Sequence, residues 1–193
     1  MFLAQPWWVN LLIFIPPVLY YFWRKEGLQI SGWVLIATAF FGVSFGFVEA
    51  SVVVYLRSIA GILSGYGGTL ADVARFSADM YQPAQIVGEL PESLLRVEIF
   101  REIATMVMLL SVALVSVKTL RERFAIFLWI FAIWDISYYA GLWVTVGWPA
   151  SLLTPDVLFL IPVPWISQVW FPLTVSMLSI IAILFARKPD KNS

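Results

Sequence analysis

Glu98, Arg101, Glu102 and Thr105 recur at i, i+3, i+4 and i+7. In a helix that spacing puts all four on one face. Two further acids, Glu49 and Asp135, sit inside long apolar runs. Asp135 is followed at i+3 and i+4 by Tyr138 and Tyr139, whose hydroxyls suit donation to a buried carboxylate. Glu49, Glu102 and Asp135 together face one nearby Arg, so negative charge is in surplus. Such a surplus away from water must be protonated, hydrated or matched by a cation. The expected site is an outward-opening acidic and aromatic pocket lined by Glu49, Arg101, Glu102, Asp135, Tyr138 and Tyr139, with Arg57, Glu98 and Asp156 at its mouth. It would take a cation or a small polar ligand. If a hard divalent cation binds, Glu49, Glu102 and Asp135 are its ligands, because carboxylates without softer donors suit hard cations. A structural reading competes. Arg101 would neutralise Glu98 or Glu102, Asp135 would bond to a Tyr, and the buried pairs would only fix helix register.

The absences narrow the chemistry. The chain has no Cys and no His. Disulfides, thiolate nucleophiles, Cys/His zinc sites, iron–sulfur clusters, His-ligated haem and a Ser-His-Asp triad are thereby excluded. No cofactor is required by the sequence. There is no Walker loop, dinucleotide fingerprint or HExxH motif. Twelve Lys and Arg balance twelve Asp and Glu, leaving no basic excess for a nucleic acid partner.

The elements that must carry these residues follow from composition. Of 193 residues 61% are apolar and 12% charged, with a mean hydropathy of +0.89. A soluble domain is nearer half apolar and a quarter charged. A membrane-spanning helix needs about 20 mostly apolar residues. Five such segments can be drawn: 7–23, 33–56, 99–117, 124–148 and 166–186. The fold expected is therefore all-α, one polytopic helical bundle over residues 1–193 in a plasma or inner membrane. Pro16-Pro17 should kink the first segment or break its hydrogen-bond ladder. The third helix should start earlier, at Pro91-Glu92, and Pro149 should stop the fourth. No Lys or Arg precedes the first segment and no small-x-small cleavage site follows it, so it is expected to be retained. In the second segment Thr38, Gly42, Gly46 and Ala50 repeat at i+4, a small-residue stripe suited to close helix approach. Glu49 flanks that stripe.

Arg24, Lys25, Lys118, Arg121, Arg123, Arg187, Lys188 and Lys191 all fall on one side of a five-span topology. The positive-inside rule then places the N-terminus outside and the C-terminus in the cytoplasm. Trp7, Trp8, Tyr55, Trp143, Trp148 and Trp165 would form an outer aromatic belt, and Trp23 and Trp33 an inner one. Both outer loops are expected to carry short interfacial helices. Thr69 would cap one over 70–80, with Leu70, Val73, Phe76 and Met80 on one side. Thr154, Pro155 and Asp156 form a helix-start pattern for a stub over 157–163.

The cytoplasmic half of each span lacks acids and bases, and no internal repeat is evident. A one-sided site is favoured over a channel or carrier. Three functions remain open: a binding module, an accessory subunit of a larger membrane complex or homo-oligomer, and a carboxylate-based enzyme acting on a lipid-like substrate. Topology is the first test. A reporter fused at Gly67 is expected to read external and one at Arg121 cytoplasmic; the reverse pattern would invert the orientation.

Overall fold

The computed structural model describes residues 4–59 and 92–188. The expected helix over 70–80 and the side chain of Arg57 lie outside what it describes. The chain opens on a 3-10 helix, Trp7–Phe14, which passes directly into α1, Ile15–Glu26. The change of helix type falls at the Pro16-Pro17 pair, which occupies the first turn of α1. Proline is tolerated there because its missing N–H would have no intrahelical partner. Then follow α2, Gly32–Ile59, α3, Glu92–Ser116, and α4, Leu120–Val146. After two short strands, β1, Pro155–Phe159, and β2, Trp165–Gln168, the chain ends on α5, Trp170–Ala186. Gly32–Tyr55, Leu95–Ser116 and Leu120–Val146 are long and apolar enough to cross a membrane, and α5 is apolar but shorter.

Helix α4 is the axis of the bundle. Its start is set by Thr119, whose hydroxyl accepts the Glu122 N–H at 3.2 Å, an N-cap with an acid in the first turn. Its end is Gly147, at φ 68°, whose N–H reaches the Trp143 carbonyl at 3.0 Å. α2 packs along α4 more extensively than any other pair, and α5 and α3 also lie against α4. The small-residue stripe of α2 makes the first contact possible. A Cβ on Gly46 would stand 2.6 Å from the Trp134 carbonyl oxygen, and one on Gly42 would stand 3.2 Å from that of Ile130. One turn on, Ala50 fills the space opposite Gly141. The Trp129 indole N–H adds a bond to the Leu35 carbonyl at 3.1 Å.

One end of the bundle gathers the basic residues. Arg121 pairs with Glu26, and the buried Glu122 accepts the Gln29 N–H at 3.1 Å. The Arg187 side chain donates to the Ile30 carbonyl at 2.7 Å. Lys188 N–H bonds to the Leu28 carbonyl at 3.0 Å. These contacts tie the α1–α2 turn to the start of α4 and the end of α5. The aromatics expected in the two belts differ in exposure. Trp7, Trp33, Tyr55 and Trp143 are exposed, whereas Trp23 and Trp148 are buried in the core.

The opposite end departs from expectation. The segment read as a helical stub is an antiparallel hairpin, with Pro155 opposite Gln168, Asp156 opposite Ser167 and Val157 opposite Ile166. Its β-branched and aromatic residues suit a pleated surface. Pro162 and Pro164 deny a helix over this segment the N–H groups it would need. Thr154 does not cap a helix: its hydroxyl accepts the Ser151 N–H at 3.1 Å and closes a turn. Gln5 joins the hairpin through two backbone bonds of 2.8 Å with Ile166.

The tight α2–α4 seam predicts an order of stability. Gly46→Ala forces a methyl against rigid backbone and is expected to cost about 1–3 kcal/mol. Gly42→Ala, facing the adjustable Ile133 side chain at 3.0 Å, should cost less. Thermal unfolding of purified variants checks the order.

Candidate functional site

At the hairpin end the helices enclose a cavity of about 110 Å³. Glu49, Arg101, Glu102, Asp135, Tyr138 and Tyr139 all line it, as does Asp156. The six residues expected in the pocket therefore come together, from α2, α3 and α4. The hairpin, α5 and Leu12 complete the wall. Asp156 is buried within this wall rather than standing at a mouth.

Helix periodicity places the α3 residues as the spacing implied. Arg101 forms an ion pair with Glu49 across the gap to α2 and a second with Glu98 at 2.6 Å. Thr105, one turn on, donates to the other Glu49 oxygen at 3.4 Å. Arg101 is thus shared by two acids, which offsets the cost of removing them from water. Glu102 points elsewhere. Both of its oxygens lie 3.0 Å from the Leu160 N–H, just beyond β1. That N–H belongs to a half-buried residue between β1 and the bend that follows it.

Asp135 bonds to neither tyrosine, contrary to the local expectation. Its partner is the Ser176 hydroxyl of α5, at 2.8 Å. Tyr139 instead donates to Asp156 at 2.7 Å, and the other Asp156 oxygen accepts the Val157 N–H at 2.9 Å. The tyrosine reaches the hairpin because the last turns of α4 pack beneath it, and a residue four positions along the same helix is not its nearest acceptor. Ser176 was missed by sequence reasoning. The available signal was a pair of small polar residues, Ser176 and Ser179, at i and i+3 in α5, whose other residues apart from Thr174 are apolar.

An aromatic series runs around the site. Trp8, Trp165, Phe159, Phe131, Trp134, Tyr138, Tyr139 and Trp148 follow one another with ring centroids between 5.0 and 6.3 Å apart. Two members carry polar groups that no other described residue uses. The indole N–H groups of Trp134 and Trp165, both lining the cavity, are buried and make no hydrogen bond among the described residues. Buried indole N–H groups normally find an acceptor.

The geometry bears on what the cavity can hold. Four acids and one base line it, and the base is already committed to Glu49 and Glu98. Among the described residues no three carboxylates are grouped closely enough to hold a metal ion. Glu49, Glu102 and Asp135 share the cavity but are turned to separate partners. No family model, curated protein or solved structure matches the chain.

The pairing of Arg101 with two acids yields a stability prediction. Arg101→Met strands Glu49 and Glu98 and is expected to cost about 3–5 kcal/mol. Glu49→Gln should cost less, because Arg101 keeps Glu98. The double variant should be less destabilised than the sum of the two, a coupling that a double-mutant cycle in chemical denaturation measures.

Proposed function

We propose that the chain is a multi-pass integral membrane protein with five spans, whose cavity at the hairpin end binds a small organic cation from the outer side. Three helices of sufficient length support the membrane setting. So does the outward display of large apolar side chains: Trp33 is 75% exposed, Phe185 75% and Val115 85%. Patches of this kind are rare on soluble monomers. The first crossing combines eight residues of 3-10 helix with twelve of α-helix. At about 2.0 and 1.5 Å per residue these extend roughly 34 Å, against a hydrocarbon core of about 30 Å. The basic end is then cytoplasmic, by the positive-inside rule.

The observation that carries the ligand reading is the placing of two carboxyl groups that form no ion pair among the described residues beside aromatic walls. Glu102 and Asp135 each take one neutral hydrogen-bond donor and line the cavity beside Phe131, Trp134, Tyr138 and Trp165. Acids and ring faces together attract an alkylammonium group. Among the described residues no three carboxylates converge, whereas a bare hard metal needs several oxygens around it. At about 110 Å³ the cavity is somewhat smaller than the ~150 Å³ that takes a benzene ring. A head group of a few heavy atoms is the right scale. The unused indole N–H groups call for an acceptor oxygen on the same ligand.

Choline carries both features and serves as the probe. It is expected to raise the melting temperature of the purified protein by several degrees at concentrations about 100-fold above Kd. Tetramethylammonium, lacking the hydroxyl, should shift it less. Glu102→Gln and Asp135→Asn should each diminish the choline shift. No shift with choline, ethanolamine or tetramethylammonium overturns the reading, and a shift with magnesium or calcium alone replaces the organic cation by a hard one.

A further inference from the structure

Beside the acidic cavity lies a second and larger one, an apolar groove of about 500 Å³. It forms because α3 and α5 each pack on α4, leaving an open strip of α4 between them floored by Phe127, Leu128 and Phe131. The 3-10 helix and the start of α1 close one side with Leu12, Ile15 and Pro16. Glu102 is the single charged residue in its lining among the described residues. The groove and the acidic cavity adjoin each other, for Leu12, Glu102, Phe131, Phe159, Trp165 and Val175 line both. The groove's rim faces outward from the bundle: Ile103 is 45% exposed and Val107 55%.

We propose that the occupant is a single-chain amphiphile, a long-chain amine or alkylammonium carrying a neighbouring oxygen, which enters sideways from the surrounding lipid. This rests on the reading of the acidic cavity as a site for an organic cation, and adds the rest of the molecule. The head lies against Glu102 and Asp135, with its oxygen within reach of the Trp134 or Trp165 N–H. The chain leaves past Glu102 and Phe159 and lies along α4 in the groove. Three features argue for one joined ligand over two separate ones. The two spaces meet at Glu102 and Trp165, both lining each. Polarity falls abruptly from the acidic cavity to the groove, as it does along an amphiphile. The groove opens beside α3, which also exposes Phe100 and Leu110, a surface suited to acyl chains in a bilayer.

The test uses the full chain in lipid nanodiscs and compares choline with its N-dodecyl analogue. The dodecyl compound is expected to bind about tenfold more tightly or better. Partition into lipid raises the apparent affinity of any long chain, so two groove variants provide the control. Ile103→Trp and Val107→Trp add bulk at the exposed rim, outside the acidic cavity, where the fold tolerates it. Both should leave choline binding unchanged and remove most of the dodecyl advantage. Equal affinity of the two compounds, or a dodecyl advantage that survives both variants, overturns the amphiphile while leaving the cation site standing. Failure of both compounds to bind overturns the site as well. Saturation of the groove by uncharged dodecanol with the same affinity, independent of Glu102→Gln, would make it a plain lipid seat and reject the joined ligand.

Discussion

Burying a carboxylate is tolerable only if something else is buried with it, and the pairing of Glu49 with Arg101 is where this molecule meets that condition. α2 and α3 have few backbone contacts with each other, and each leans on α4 instead. The ion pair, together with the Thr105 bond to Glu49, is the polar link that joins them across the cavity. Arg101 can serve in this way because Glu98, one turn earlier, holds the other side of its guanidinium. The same commitment leaves Glu102 and Asp135 hydrogen-bonded to neutral donors, a backbone N–H and a serine hydroxyl.

The α2–α4 seam determines how close these groups can come. Gly42, Gly46 and Gly141 let two helices approach until a side chain on one would touch the backbone of the other. Glu49 rides beside that seam and is carried inward with it. Trp134 and Ser137 sit opposite Gly46, so the residues that define the tight contact are neighbours of Asp135 and Tyr138. Packing and site are therefore built from one strip of α4. The hairpin covers that strip and supplies Asp156 to Tyr139 and the Leu160 N–H to Glu102. One helix acid, Glu102, meets a backbone N–H just beyond β1, and one hairpin acid, Asp156, meets a helix tyrosine, so the cover and the cavity stabilise each other.

Much of the site was legible because helix periodicity turns spacing into direction. Glu98, Arg101, Glu102 and Thr105 had to share a face, and the glycine stripe had to pack tightly. What periodicity does not carry is the partner across a gap. Asp135 chose Ser176, 41 positions later, over the tyrosines one turn away. Glu102 chose a backbone N–H, which has no sequence signature at all. The hairpin was misread because Thr-Pro-Asp opens a turn or strand as readily as a helix, and only its pairing with Trp165–Gln168 and Gln5 decides between them.

By itself the sequence determined the helical class, the apolar segments, the basic end and the identity of the clustered acids, because these follow from composition and from the 3.6-residue period. The tertiary structure alone decided which acids are neutralised and which are not. It also revealed two indole N–H groups that make no hydrogen bond among the described residues, and an apolar groove that adjoins an acidic cavity. Those properties depend on distances between segments far apart in the chain, and a one-dimensional pattern holds no record of such distances.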